Sequence, residues 1–218
     1  MITATNEDNM IMMARYPDDY FDIAIVDPPY GILVDCMRLG KGKKMKSKGW
    51  DSEAPTKEYF DELMRVSENQ IIWGANHFAL PISRAWIYWD KMQDGYGKDF
   101  SSGELAWTSF DKPMKQVRYK WQGNYFGFEN NISTKSSNGM VKIHPTQKPV
   151  KLYEWTLINY AEQGFKIVDT HRGSASLDIA CHNLGFDLVT CELDTDYFND
   201  GNKRLKQHQQ QQVINFEL

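Results

Sequence analysis

Phe21-Asp22-Ile23-Ala24-Ile25-Val26-Asp27-Pro28-Pro29-Tyr30 is the stretch whose reading decides the fold. Its first six residues are almost all apolar, the pattern of a strand covered on both faces, and such strands belong to the parallel sheets of α/β proteins. Asp27 ends the run, and Pro28 and Pro29 lack the amide hydrogens a continuing ladder would need. Lys166–Asp169 and Asp187–Cys191 read as two further strands. A Gly/Ser turn and a helix from Ser174 to Leu184 follow the first, and a helix from Asp194 to about Gln207 follows the second. The pattern predicts a helix over Thr56–Asn69, with Thr56 as N-cap and Tyr59, Phe60, Leu63 and Val66 on one face. Short strands are expected at Gln70–Trp73, Ala85–Trp89 and Glu104–Thr108, with another candidate at Val117–Trp121. Lys148–Gln163 reads as a helix with Pro149 in its first turn. Strands alternate with helices in the first and last thirds, which argues α/β with a mainly parallel sheet. The strands between residues 70 and 121 lack intervening long helices, so part of the sheet is expected to be antiparallel.

The chain has 218 residues, of which 41% are apolar and 13% aromatic, enough for a sizeable core in one domain. Its formal charge of −4 is unevenly spread. Residues 38–48 carry six basic side chains and no acid, and residues 112–151 carry eight against the single acid Glu129. Such asymmetry suits a polyanionic partner. From charge alone, two solvated Lys-rich loops are the simpler account. Cys36, Cys181 and Cys191 form no CxxC pair, which fits a reducing compartment. The five histidines have no metal-ligand spacing, so no structural zinc is expected. The first ten residues, MITATNEDNM, lack the features of a signal peptide, and no apolar run is long enough to span a bilayer. These features predict a soluble cytoplasmic protein.

Three motifs carry chemistry. Asp27-Pro28-Pro29-Tyr30 closes a buried strand, where open α/β sheets bind ligands. A carboxylate and a fixed carbonyl can accept the two N–H bonds of a planar exocyclic amine, freeing a lone pair otherwise delocalised into its ring. The Asp27 side chain and the Pro28 carbonyl suit that task, Pro29 stiffens the turn, and Tyr30 offers a flat face for a base. In Lys166-Ile-Val-Asp-Thr-His-Arg-Gly-Ser-Ala-Ser176, a strand enters a small-residue turn where Gly173 permits close backbone approach to a ligand. Glu192 ends the next strand, a place where an acid commonly holds ribose hydroxyls of an adenosine cofactor. In His144-Pro-Thr-Gln-Lys-Pro149, two prolines fix the backbone around Thr146 and Lys148, and Lys148 is placed to reach a carboxylate. Each motif alone also fits an ordinary capped strand, strand-end acid or rigid connector.

Together the motifs resemble the amino-methylating DNA methyltransferases that use S-adenosylmethionine. The resemblance runs through DPPY (27–30), IIWGANHF (71–78), RAWIYWDK (84–91), ELAWTSFD (104–111), HPTQKPV (144–150), VDTHRGSAS (168–176) and CELD (191–194). The order, with catalytic motif first, recognition region in the middle and cofactor loop last, is the permuted β-type arrangement. It is similar to that of compact adenine methyltransferases often carried by phages and prophages. The resemblance implies a circularly permuted Rossmann-like fold with a seven-stranded, mainly parallel sheet whose last strand is antiparallel. Residues 166–169 would be the first strand of the unpermuted order, 187–191 the second and Ile2–Thr5 the third. It further implies S-adenosylmethionine as cofactor, with Asp8 at the adenine amine and Glu192 at the ribose. Asp169, Gly173, Thr146 and Lys148 would surround the methionine half, and Ser174 is counted among the cofactor-binding residues. Asp27, Pro28, Pro29 and Tyr30 would hold the target base. The cofactor loop departs from the family's DPFxGSGTT at Thr170, His171 and Ala175, and the Ala175 methyl demands space or an unusual torsion.

The reading implied is transfer of a methyl group to N6 of adenine in double-stranded DNA after base flipping. It treats residues 1–218 as a single methyltransferase domain. A mobile basic loop over residues 31–50 would place Arg38, Lys41, Lys43, Lys44, Lys46 and Lys48 at the mouth of the site. A target-recognition insertion over 112–142 would contact DNA through Arg118 and Lys120, interleaved with Tyr119, Trp121, Tyr125 and Phe126. Enzymes of this permuted type are often dimers, which leaves a homodimer open. N4-cytosine methylation uses the same amine chemistry, although those enzymes more often carry Ser in place of Asp27. A catalytically weak nucleic-acid-binding homologue is the other alternative. An NAD dehydrogenase is disfavoured, because there is no GxGxxG.

Overall fold

A computed structural model describes residues 1–32, 51–92, 101–121, 143–144 and 146–214. In chain order the elements are β1 (Ile2–Thr5), α1 (Asn9–Met13), β2 (Phe21–Val26), α2 (Lys57–Val66), β3 (Ser67–Trp73), β4 (Trp86–Asp90), β5 (Gly103–Thr108) and β6 (Lys115–Arg118). There follow α3 (Val150–Tyr160), β7 (Lys166–Asp169), α4 (Ser176–Leu184), β8 (Asp187–Cys191) and α5 (Thr195–Ile214). One sheet takes all eight strands in the order β1-β8-β7-β2-β3-β5-β4-β6. The expected count of seven is corrected by β6, an edge strand that pairs parallel with β4. β5 alone among the described strands runs against the rest, between β3 and β4.

β2 sits near the centre because every residue from Ile23 to Val26 is buried. Ile23 and Ile25 face one core, with Leu152 and Leu157 of α3 and Leu177 and Ile179 of α4. Ala24 and Val26 face the other, with Met12 and Met13 of α1 and Tyr59, Phe60 and Leu63 of α2. Side chains alternate across a strand, so one apolar run supplies both layers. α3 is buried over Val150, Leu152, Tyr153, Thr156, Leu157 and Tyr160, which explains why its sequence has no clean stripe.

Several boundaries differ from expectation for identifiable reasons. α2 ends at Val66 and passes directly into β3, three residues before the helix was expected to stop. There the Ser67 hydroxyl donates to the Leu63 carbonyl at 2.6 Å, satisfying a carbonyl left open by the helix end. α5 runs through the glutamine stretch to Ile214, since glutamine is a good helix former. The cofactor-type loop delays α4 to Ser176, because Ala175 adopts a left-handed conformation (φ 58°). Gly201 of α5 lies against it, and a Cβ there would sit 3.3 Å from the Ala175 methyl.

The loop is clamped from below. The Arg172 side chain donates through Nε to Asp178 Oδ2 at 2.9 Å and through Nη1 to the Phe198 carbonyl at 3.2 Å. The Arg172 and Asp178 side chains are both fully buried. Removing one member of such a pair typically costs about 3–5 kcal/mol, whereas replacing both with apolar groups is often tolerated. Asp178→Ala is therefore expected to lower unfolding stability by that amount in urea titrations. The double change Arg172→Met with Asp178→Leu should recover most of the loss. Equal stability of Asp178→Ala and the parent protein would refute the clamp.

Candidate active site

Because seven strands run the same way, their carboxyl ends share one edge of the sheet. That edge presents Asp27 after β2, the loop after β7, Glu192 after β8, Asp8 after β1, Gly74 after β3 and Lys91 after β4. β5 runs the other way, so its first residues, Gly103 and Glu104, arrive at the same edge. A cleft opens there. Asp8, Asp27, Pro28, Pro29, Tyr30, Thr146, Lys148, Gly173, Ser174 and Glu192 all line it. Of the expected site residues at this edge, Asp169 stands behind the lining. It is buried and accepts the His171 amide at 2.9 Å, which fixes the turn from within.

On the DPPY side, Asp27 Oδ1 accepts the Tyr30 hydroxyl at 2.8 Å and lies 2.5 Å from the Lys148 ammonium. The Tyr30 and Gly31 amides donate to Asp51 Oδ1 at 2.7 and 3.0 Å. Asp51 thereby pins the turn after Pro29, and sequence reading missed it because twenty intervening residues, 31–50, separate it from the motif. The Tyr30 ring stacks on His77 with centroids 5.0 Å apart and planes 12° apart. It also rests on Gly74, where an added Cβ would fall 2.0 Å from Tyr30 Cε1 and φ is +68°. Only glycine fits such a position.

On the opposite side, Glu192 is oriented by two backbone amides: Gly173 N donates to Oε2 at 2.8 Å and Asp194 N to Oε1 at 2.9 Å. Asp8 caps α1, accepting the Met10 and Ile11 amides at 2.8 and 3.3 Å. Thr146 Oγ1 lies 3.1 Å from His144 Nδ1. The Ser174 carbonyl and Ser176 hydroxyl both accept from Arg204. Ser176 in turn donates to the Lys148 carbonyl at 2.7 Å, so the HPTQKP segment is tied to the start of α4. The residues that replace Pro and Phe in the loop form a network of their own. The Asn9 amide donates to His171 Nε2 at 3.1 Å, leaving the ring proton on Nδ1, which lies 2.9 Å from Thr170 Oγ1. Tyr59 OH closes the network at 2.6 Å from Thr170 Oγ1.

The electrostatics centre on Lys148, whose side chain is 3% exposed. Its ammonium lies between Asp27 and Glu104 Oε2 at 3.1 Å, and Glu104 Oε1 is 2.5 Å from the Lys91 ammonium. Burial would pull Lys148 down, but the carboxylates of Asp27 and Glu104 reverse this and hold it above its ordinary value. Burial would also raise Glu104, yet Lys148 and Lys91 hold it at about 2. For Asp27, burial prevails over Lys148, and its carboxyl is raised. Asp169 is pushed well above the carboxylate range by burial. Glu104 and Lys91 were missed in the sequence; the available signal was an acid opening an otherwise apolar strand, Glu104-Leu-Ala-Trp-Thr108.

Of the basic residues expected at DNA, Arg118 closes β6 at the same edge and pairs with Asp90 at 3.0 Å, and Lys120 is exposed just beyond it. Arg38, Lys41, Lys43, Lys44, Lys46 and Lys48 lie outside the described residues, as do Tyr125 and Phe126. Among the described residues no helix is long and apolar enough to cross a membrane, and no group of three or more His, Cys, Asp or Glu side chains could hold a metal ion.

A mainly parallel sheet layered by helices on both faces, with one antiparallel strand inside it and a cleft at its carboxyl edge, defines a Rossmann-like methyltransferase fold. Solved structures with that fold bear this out. The M1.HpyAVI–SAM complex aligns over 94% of this chain and 100% of its own, at 20% identity and a TM-score of 0.52. PvuII DNA methyltransferase, described as cytosine-N4-specific, aligns over 95% of this chain and 92% of its own at 12% identity and a TM-score of 0.55. A putative DNA modification methylase from Thermus thermophilus, complexed with S-adenosyl-L-methionine, aligns over 95% and 94% at 12% identity and a TM-score of 0.54. Residues 85–203 match the N6/N4 DNA methylase family, and the chain belongs to it. A 64-residue stretch is 31% identical to Type II methyltransferase M.HpaI of Haemophilus parainfluenzae, covering 29% of this chain and 20% of that protein's length.

His171 yields a pH test. Burial holds it down at about 3. An unfolded histidine titrates near 6.5, so between about pH 6.5 and 3 the unfolded chain binds a proton that the folded one excludes. Stability from this group is present at neutral pH and lost as pH falls through that window. His171→Gln should therefore lose less stability than the parent between pH 7 and pH 5 in paired denaturant titrations. A parallel loss in both proteins would refute the assignment.

Proposed function

We propose that the protein transfers a methyl group from S-adenosylmethionine to N6 of adenine in double-stranded DNA. The observation that carries the reading is the Asp27 carboxylate and Pro28 carbonyl at one wall of a cleft whose other wall holds Glu192 and the Gly173 turn. The donor set suits the cofactor: Glu192, fixed by two amides, can accept ribose hydroxyls, and Asp8 and Asn9 stand where an adenine edge needs polar partners. When bound, S-adenosylmethionine supplies an electrophilic methyl group.

The chain's own residues then act on the target base. Asp27 and the Pro28 carbonyl accept the two amine N–H bonds, which draws the nitrogen toward tetrahedral geometry and frees its lone pair for attack. Positioning and electrostatics supply the rate enhancement. The methylated nitrogen is strongly acidic and sheds one proton without a strong base, so charge balance is kept. Tyr30, held between Gly74 and His77, forms the wall beside which the base must enter. Reaching that cleft requires the base to leave the duplex.

Three features support methylation of DNA, and the first of them favours adenine over cytosine. DPPY carries Asp27 where cytosine-N4 enzymes more often carry Ser. The chain order of DPPY, HPTQKP and cofactor loop is that of the permuted β-type. In sequence, one basic stretch (residues 38–48) follows DPPY and a second (within residues 112–142) precedes HPTQKP. N4-cytosine methylation is the second reading, favoured by the fold shared with PvuII DNA methyltransferase.

Incubation with labelled S-adenosylmethionine and mixed-sequence DNA, followed by nucleoside digestion, is expected to yield N6-methyladenine. N4-methylcytosine in its place would move the assignment to the second reading. Asp27→Ala should abolish methyl transfer while calorimetric cofactor affinity stays within about twofold, because Asp27 holds the base and not the cofactor. Neutralising Arg38, Lys41, Lys43, Lys44, Lys46 and Lys48 should weaken DNA binding and flatten its salt dependence, by up to roughly 0.9 in log–log slope for each phosphate no longer neutralised. An unchanged slope would show that this loop does not touch DNA.

A further inference from the structure

We infer that Glu104, acting through Lys148, is a positioning residue that keeps Asp27 available as an acceptor for the target amine. The inference rests on the methyl-transfer reading above and deepens it. A lysine ammonium has three N–H donors and no acceptor. Lys148 lies 2.5 Å from Asp27 Oδ1, donates to the Tyr30 hydroxyl at 3.1 Å and faces Glu104 Oε2 at 3.1 Å. Tyr30 directs its own proton to Asp27 Oδ1. One carboxylate oxygen of Asp27 is thus already claimed twice. With no counterweight, a buried ammonium would concentrate its whole field on Asp27, and a carboxylate so neutralised accepts poorly from an amine.

Glu104 provides the counterweight. Its side chain is 22% exposed, but its Oε2 atom is shielded from solvent and faces the Lys148 ammonium at 3.1 Å, so its hold on Lys148 is chiefly Coulombic. The other oxygen is anchored 2.5 Å from Lys91, whose side chain is 16% exposed at the outer end of the row. Asp27, Lys148, Glu104 and Lys91 therefore alternate in sign from the cleft outward. The antiparallel direction of β5 makes this possible, since it delivers Glu104 to the edge where β2 ends. Lys91 also meets the root of the proposed recognition insertion. Its carbonyl accepts the Trp121 amide at 3.4 Å, and Trp121 Nε1 donates to the Gln147 carbonyl beside Lys148.

The other titratable groups facing Asp27 are Tyr30 on its own loop, Tyr153 of α3 and Asp169 at the end of β7. None of these changes in the variants below. Glu104 raises the Asp27 carboxyl and Lys148 lowers it, so the two neighbours have opposite signs.

The test is the pH dependence of single-turnover methylation by preformed protein–cofactor–DNA complexes, normalised to calorimetric cofactor-binding sites. Glu104→Gln gives Lys148 wholly to Asp27. The rate should fall about tenfold or more, cofactor affinity should stay unchanged, and the acid limb should move to lower pH by up to about one unit. Glu104→Asp, which keeps the charge, should restore most of the rate. Lys91→Gln strips Glu104 of its outer partner, draws Lys148 away from Asp27 and should move the acid limb upward. It tests the row even if Glu104→Gln fails to fold. Loss of folded protein alone lowers the count of cofactor sites and moves neither limb. Acid limbs that stay in place, or that move in the same direction in both variants, overturn the inference. A parent protein that binds S-adenosylmethionine but methylates no DNA overturns the underlying reading instead.

Discussion

The direction of the strands is the constraint from which the site follows. Parallel pairing of β1, β8, β7, β2 and β3 gathers their carboxyl ends on one edge, and with them Asp8, Glu192, the Gly173 turn, Asp27 and Gly74. Residues more than 160 apart in sequence thereby line one cleft. The same geometry gives a reversed strand a particular use. In β5 the first residues, rather than the last, meet the site, so Glu104 enters a charge row that no parallel strand in its place would complete. The sheet supplies acceptors from carboxyl ends and one acid from an amino end.

Charge in this cleft is compensated locally. Lys148 neutralises neighbours on both sides, Arg172 is matched by Asp178, and Glu192 is held by amides. Asp169 is buried among the carboxylates of Asp178, Asp27 and Glu192 and shifts upward accordingly. Such an arrangement keeps a site rigid, because any single neutralisation leaves a buried charge uncompensated. It also separates two tasks. The cofactor wall depends on backbone donors, while the base wall depends on side-chain charges that respond to pH.

Much of this was legible in the sequence. β2, β7 and β8 read correctly because strands buried on both faces need nearly continuous apolar runs. The turns after them read correctly because Pro28, Pro29 and Gly173 leave the backbone few choices. Ten of the eleven expected catalytic and cofactor residues line one cleft, Asp169 being the one set behind it. Long-range pairing was not legible. Nothing local reveals that Glu104 faces Lys148, that Asp51 returns to the Tyr30 amide, or that His171 joins Asn9 and Tyr59. The strand candidate at Val117–Trp121 lies two residues earlier, as β6 (Lys115–Arg118), and adds to the seven strands the resemblance implied; the end of α2 was placed too late because no Gly or Pro separates it from β3.

Ala175 and Gly201 show how a local exception becomes a distant obligation. A methyl group in a left-handed turn needs room, and the helix 26 residues further on leaves that room by carrying no side chain where it passes. The two positions therefore form one coupled character. In descendants of this sequence, a larger residue at 201 should be admissible chiefly where 175 has first become glycine and the Arg172 guanidinium, equally close at 3.3 Å, has given way. Substitution histories at the two sites would then be ordered in time, and that order is open to reconstruction from sequences alone.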